Sequence, residues 1–191
     1  MNKLYCRMGT TADLSALKKL YRAGFPEDDE VYIEHFLEAI EPASMVCCGV
    51  LDGEIVCALY LLPAKAVRGN DSLSVRYLYA GATHPTRRGK GYYSTLLDFA
   101  AEQGRAAGEA AIYLRPASTD LYRYYARLGY HSGISVRAPG SGYHFTPCAP
   151  FDKLLADNTP KSDDKGCVIL PLSGTLSPCW WEGSTTLLIG E

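Results

Sequence analysis

Arg87-Arg88-Gly89-Lys90-Gly91-Tyr92-Tyr93-Ser94 is the stretch of this chain whose residue types and spacing could do chemistry. Three cationic side chains flank two glycines at the point where a helical pattern begins. A glycine-bearing turn that opens a helix aims several backbone N–H groups at one spot, at the positive end of the helix dipole, and such a spot binds phosphate. The glycines let the backbone approach an anion closely and take φ values closed to other residues. Neither Gly-x-x-x-x-Gly-Lys-Ser/Thr nor Gly-x-Gly-x-x-Gly occurs here, which excludes the P-loop and the dinucleotide fingerprint.

The elements that must hold this turn are legible on either side of it. Before it lie a β-rich run, Val75 to Thr83, and a His84-Pro85 break; after it, Thr95 to Ala101 reads as a helix that runs to Gly104 or Gly108. Upstream, Leu4–Met8 alternates as a first strand, and Thr10 or Thr11 can cap a helix bearing Leu14, Leu17, Leu20 and Tyr21 on one face. Gly24 and Pro26 stop that helix, and Glu27-Asp28-Asp29-Glu30 opens a second amphipathic segment with Val31, His35, Phe36 and Ile40. Met45–Leu51 and Ile55–Leu62 form a hairpin around Asp52-Gly53, with Pro63 expected to end the returning strand. Downstream, Ala110–Arg115 is a nearly unbroken apolar strand of the buried, parallel kind, Ser118 or Thr119 caps a helix closed by Gly129, and a strand follows near Ile134–Arg137. The order predicts an α/β chain with a mixed, mostly antiparallel sheet and helices on both faces.

Two segments carry a resemblance. Arg88-Gly89-Lys90-Gly91-Tyr92-Tyr93 is similar to the acyl-CoA segment Arg/Gln-x-x-Gly-x-Gly/Ala of the GCN5-related N-acetyltransferases (GNAT), with Tyr93 standing where Gly or Ala is usual. Tyr124-Tyr125-Ala126-Arg127-Leu128-Gly129-Tyr130 resembles that family's Phe-Tyr-x-x-Leu-Gly-Phe helix end. The two occur in the family's order, separated by a helix and a buried strand, and the resemblance covers about residues 3 to 138. It implies acetyl-CoA as cosubstrate and no metal. The amides from Arg88 to Ser94, with the side chains of Arg87, Arg88 and Lys90, would hold the pyrophosphate. A bulge in the preceding strand, at Tyr79 to Thr83 and including Ala82, would pair with pantetheine and polarise the thioester carbonyl, with Gly81 easing the bulge. Tyr125 matches the tyrosine that protonates the departing thiolate, and Ser118 stands near an asparagine that contacts CoA. Glu27, Asp28 and Asp29, with Tyr79, would line the acceptor side.

The general base stays open. The strand carries no acid between Ser74 and Thr83, His84 precedes a proline and could serve only to shape the turn, and Cys57 has no recognisable base partner. Direct attack by the amine in a ternary complex is therefore the expected route.

The bulk properties bound the rest. At 191 residues, 47% apolar and 21% charged, the chain can bury a real core. A net charge of −2 argues against a nucleic-acid partner, and no run approaches the roughly 18 apolar residues of a membrane span. Seven scattered cysteines without a Cys-x-x-Cys pair, and a start without the apolar core of a signal peptide, lead to the expectation of a cytoplasmic protein with reduced thiols. Two parts are expected, an acetyltransferase domain at 1–138 and an extension at 139–191 packed on it, carrying strands at Val168–Leu170 and Thr186–Ile189 around Trp180-Trp181. The partners expected are acetyl-CoA and a cationic amine, with a homodimer as one option for assembly. The competing class is a non-catalytic acyl-CoA-binding sensor on the same fold.

Overall fold

The computed structural model describes residues 3–68, 70–134, 144–155 and 166–174. The expected strand Thr186–Ile189, the Trp180-Trp181 pair and the breaker cluster at 138–142 lie outside the described residues. The chain forms two compact units: residues 1–62 with 78–103, and residues 63–77 with 104–191. Two long strands, β3 (Glu54–Arg68) and β4 (Asp71–Thr83), contribute to both, and the fold is a mixed, mostly antiparallel sheet flanked by helices.

In the first unit β1 (Tyr5–Met8) pairs antiparallel with β2 (Val46–Leu51), which pairs antiparallel with β3 from Leu51↔Glu54 to Val46↔Tyr60. The β2–β3 turn places Asp52 at φ 54° and Gly53 at φ 83°, the double left-handed conformation of a tight hairpin, as the Asp-Gly pair requires. Helix α1 (Leu14–Gly24) buries Leu17, Leu20 and Tyr21. Its entry is fixed by Asp13, whose carboxylate accepts from the Thr10 amide and hydroxyl at 2.8 Å each and from both terminal nitrogens of Arg7 at 2.7 and 2.8 Å. Helix α2 (Glu30–Glu38) is capped by Asp29, which accepts from the amides of Val31 and Tyr32. Its inward residues are Ile33, Phe36 and Leu37, whereas Val31 and His35 are exposed. The helix begins at Glu30 and not at Glu27, and Ile33, Phe36, Leu37 and Ile40 recur at the spacing of one helical face. A short helix α3 (Pro42–Met45), not anticipated from sequence, leads into β2. Helix α4 (Tyr92–Ala106) follows the glycine turn and buries Leu96, Leu97 and Ala100.

In the second unit β5 (Ala111–Leu114) is buried throughout and pairs parallel with β4 at Arg76↔Ile112 and Tyr77↔Tyr113. Helix α5 (Thr119–Arg127) precedes β6 (His131–Ile134), with Gly129 at φ 84° ending the helix. The observed β6 starts three residues before the expected strand, and its predicted continuation at 135–137 lies outside the described residues. Strand β7 (His144–Pro147) pairs with β3 from Ala64↔Pro147 to Val67↔His144, ahead of the short helix α6 (Phe151–Leu154). Pro63 therefore does not end β3. It stands where the partner of β3 changes, its missing N–H is not needed there, and its carbonyl accepts from Cys148 N at 2.8 Å.

Strand β8 (Cys167–Pro171) lies between β5 and β6 and pairs antiparallel with both. Ile169 and Cys167 join a buried cluster with Ala64, Ala66, Val75, Ala111, Tyr113 and Phe145. Residues well beyond Arg137 thus supply an interior strand. Burying Val168 and Ile169 alone is worth roughly 1.5–3 kcal/mol each, a large share of a typical total of about 5–15 kcal/mol. Truncation after Arg137 is expected to abolish cooperative unfolding, as followed by circular dichroism in urea. A truncated chain with the full-length midpoint would show that β8 contributes nothing.

Candidate active site

The sequence around the glycine turn folds locally as its residues dictate. After β4, Pro85–Arg87 makes one 3-10 turn, and the chain then passes through Gly89 at φ 74° and Gly91 at φ 77°. Those left-handed values are strained for any residue with a Cβ, so both glycines are required by the path. The Gly91 carbonyl accepts from the Thr95 amide at 3.1 Å, and from the Ser94 and Thr95 hydroxyls at 2.8 and 3.2 Å. Thr95 makes the first intrahelical bond of α4, so the amides of the turn before it point out of the helix end. Arg88 and Lys90 are exposed there and Arg87 is half-buried. Arg88 Nε reaches back to the Thr83 carbonyl at 3.2 Å, tying the turn to the end of β4. This is the cationic N-terminal end of a fifteen-residue helix, suited to a pyrophosphate.

Strand β4 departs from regular geometry just before that turn. Ala80 takes φ 45°, a value rare for a residue with a side chain. The conformation expected of Gly81 is thus adopted by its neighbour. Gly81 is required for a different reason: a Cβ placed on it would overlap the Tyr93 hydroxyl oxygen and meet its ring carbon Cζ at 2.7 Å. Tyr93, the residue that departs from the usual Gly or Ala, lies against the glycine of the strand. Ala82 is buried, and a Cβ on Gly24 of α1 would meet its Cβ at 2.8 Å. Thr83 is half-buried with its carbonyl held by Arg88, and the His84 amide donates to the Val56 carbonyl at 2.8 Å. The His84 ring pairs with the Thr86 hydroxyl at 2.9 Å, a turn-shaping contact.

The acidic segment divides. Asp29 is occupied as the α2 cap, and Glu27 is exposed. Glu30 is bound by Arg22 and Lys18, and Glu34 by Lys18 at 2.6 Å, so this part of the acidic row is matched by cations of α1. Hydrogen bonds first from Arg22 and then from Lys18 hold the Glu30 carboxyl down at about 2. Asp28 is half-buried and accepts from the Tyr21 hydroxyl at 2.9 Å. The Tyr21 hydroxyl also lies 3.5 Å from that of Tyr79, which is 2.7 Å from that of Tyr32. Phe36 and Tyr60 pack on Tyr21, and Phe36 also packs on Tyr79. Sequence reasoning singled out Asp28 and Tyr79 but missed Tyr21 and Tyr32 as their partners; the α1 spacing showed Tyr21 only as an inward residue.

Among the thiols, Cys57 Sγ lies 3.8 Å from the Tyr92 carbonyl, and burial pushes its pKa up to about 12. The thiol stays protonated at neutral pH and makes a poor nucleophile. In the second unit, Tyr125 is buried on α5, with the rings of Tyr124 and Tyr130 edge-on at 5.3 and 5.2 Å, and Ser118 holds the N-cap position of the same helix.

The sequence profile of the acetyltransferase (GNAT) domain matches residues 6–133. The chain belongs to the GNAT acetyltransferase family. No curated protein matches it at the sequence level. Solved GNAT structures share its fold. One is an acetyltransferase from Brucella melitensis in complex with acetyl-CoA, at 18% identity and TM-score 0.60, covering 80% of this chain and 100% of that one. Another is a GNAT family N-acetyltransferase from Escherichia coli in complex with CoA, at 17% and 0.60, covering 82% and 86%. A third, a GCN5-related N-acetyltransferase from Kribbella flavida, aligns at 23% and 0.61 over 69% of this chain but only 34% of its own. The chain spans about a third of the length of that relative and of several others. Among the described residues no helix is long and apolar enough to cross a membrane, and no three His, Cys, Asp or Glu side chains are grouped as a metal ion would need.

The Gly81–Tyr93 contact gives a direct test of the local packing. Gly81→Ala must displace the Tyr93 ring and is expected to cost about 1–3 kcal/mol, while Gly81→Ala in a Tyr93→Ala background should cost far less. Urea titration of the four proteins closes the cycle. Equal costs in both backgrounds would show that the two residues do not meet.

Proposed function

We propose that this GNAT protein moves an acetyl group from acetyl-CoA to a primary amine of a small molecule or peptide, by direct attack in a ternary complex. The observation that carries the reading is a strand interrupted by a left-handed residue, Ala80, running into a turn with two left-handed glycines at the N-terminus of α4. Turn amides suit a pyrophosphate, and the interrupted strand suits an acyl chain that needs backbone partners. When bound, acetyl-CoA supplies the thioester carbonyl.

The chain's own residues then have distinct tasks. Amides from Arg88 to Ser94, with Arg87, Arg88 and Lys90, hold phosphate charge. An N–H within Tyr79–Thr83 faces the developing oxyanion, worth several kcal/mol, roughly 3 by analogy with measured oxyanion-hole donors. Tyr125 protonates the leaving thiolate, an assignment supported by its place in the Tyr124–Tyr130 motif, and Ser118 contacts CoA. The high pKa of Cys57 supports direct attack over an acyl-enzyme. The acceptor is cationic, with Asp28 and Tyr79 at its side. Pairing of Glu30 and Glu34 with α1 leaves less of the acidic row to attract it than the sequence promised.

One observation favours a second reading, a non-catalytic acyl-CoA sensor: Tyr93 fills the space beside Gly81 that the usual Gly or Ala would leave open. Turnover decides between them. Free thiol released from acetyl-CoA across a panel of amines should rise with the wild type. Tyr125→Phe should keep acetyl-CoA affinity and lose about 10²–10⁴-fold in kcat. Binding of acetyl-CoA without turnover of any amine would favour the sensor, and unchanged kcat in Tyr125→Phe would remove that residue from the chemistry.

A further inference from the structure

An arginine side chain carries two kinds of donor. Its terminal nitrogens form the fork that grips an oxyanion, and its Nε is a single N–H set back along the chain. In Arg88 it is Nε that is engaged: it donates to the carbonyl of Thr83, the last residue of β4, at 3.2 Å. The bond uses the inner donor on the protein's own backbone and leaves the two terminal nitrogens for an anion.

The chain between donor and acceptor is held by bonds of its own. The His84 amide donates to the Val56 carbonyl of β3 at 2.8 Å, and the Arg87 amide donates to the His84 carbonyl at 2.8 Å. Pro85–Arg87 makes its 3-10 turn within these bonds, and the His84 ring meets the Thr86 hydroxyl at 2.9 Å. On the strand side, Thr83 follows buried Ala82, which packs on the end of α1 at Gly24, and left-handed Ala80 lies just upstream. On the other side, Arg88 leads directly into Gly89 and Gly91, both left-handed. The Arg88 side chain therefore joins two backbone segments of unusual conformation, one suited to phosphate and one to the acyl arm.

We infer that Arg88 is a positioning residue for the cosubstrate: through Nε it fixes the irregular end of β4 relative to the glycine turn, so that acetyl-CoA meets the two segments already aligned. The inference rests on the acyl-CoA reading above. A ligand that spans both segments gains from alignment made beforehand, because ordering left until binding lowers affinity. A ligand that touches the turn alone gains nothing from it. Charge on the guanidinium would act on both ligands.

Side-chain chemistry supplies the comparison that separates position from charge. Glutamine carries an N–H donor the same number of bonds from Cα as the Nε of arginine, and methionine has a similar length with no donor. Arg88→Gln and Arg88→Met lose the same charge and differ in the donor. Arg88 is exposed, so neither replacement leaves a cavity.

Calorimetry with two ligands tests the assignment: acetyl-CoA, which spans both segments, and ADP, which carries the pyrophosphate without the acyl arm. Arg88→Gln is expected to bind acetyl-CoA about 5-fold more tightly than Arg88→Met, the effect of one neutral hydrogen bond, while the two variants bind ADP equally. With no ligand present, the carbonyl carbon of Thr83 should resonate near its wild-type position in Arg88→Gln and move in Arg88→Met. Equal acetyl-CoA affinities in the two variants would overturn the inference and leave Arg88 a charge only. A matching loss of ADP affinity in Arg88→Met would also overturn it, since the bond would then build the turn and not align the strand. A Thr83 resonance unmoved in Arg88→Met would remove the bond itself. A wild type that does not bind acetyl-CoA would overturn the acyl-CoA reading, and the inference with it.

Discussion

A left-handed alanine within a β-strand costs of order 1–3 kcal/mol and persists only where its surroundings over-determine the backbone. Ala80 is surrounded in that way. Tyr79 is held by the hydroxyl of Tyr32, Gly81 by the ring of Tyr93, and Ala82 by the side-chain-free end of α1 at Gly24. Thr83 is held by Arg88 and His84 by the carbonyl of Val56. Five residues are thus fixed by neighbours from α1, α2, β3, the glycine turn and α4. The strand cannot relax to regular geometry without disturbing each of them. The glycine turn and the irregular end of β4 are therefore tied to each other, by Arg88 from the turn and by Tyr93 from the first turn of α4.

Electrostatics in the same unit is arranged by pairing more than by net field. Asp13 is consumed by Arg7 and Thr10, Asp29 by the amides of α2, and Glu30 and Glu34 by Lys18 and Arg22. The exposed pairs add little stability, since surface ion pairs are typically worth about 0–1 kcal/mol. Their larger consequence is for recognition. Within the acidic run, Glu30 and Glu34 are paired with cations of α1 and Asp29 caps α2, while Asp28 is half-buried and accepts from the Tyr21 hydroxyl.

What the sequence made legible was set by local rules. Asp52-Gly53, Gly89, Gly91 and Gly129 marked their turns because left-handed backbone selects glycine or a short polar residue. The all-apolar run Ala111–Leu114 marked a strand buried on both faces. The failures came from tertiary partners. Pro63 reads as a stop until one sees that β3 changes partner there. Gly81 reads as the flexible point of the bulge, whereas Ala80 turns and Gly81 yields space to Tyr93, a contact between residues twelve apart. Strand β8 could be recognised as a strand, but its place between β5 and β6 depends on pairings that no local pattern encodes. The contacts among Tyr21, Tyr32 and Tyr79 were invisible for the same reason, these residues being separated by up to 58 positions.

The central claim is that the interrupted end of β4 and the glycine turn form one acyl-CoA site. Titration of the uniformly 15N-labelled protein with acetyl-CoA, followed amide by amide, tests it most directly. The account predicts that the saturable shifts in the first unit concentrate at Tyr79–Thr83 and Arg88–Ser94, with the Gly89 and Gly91 amides among the largest. Saturable binding whose shifts avoid both segments would contradict it.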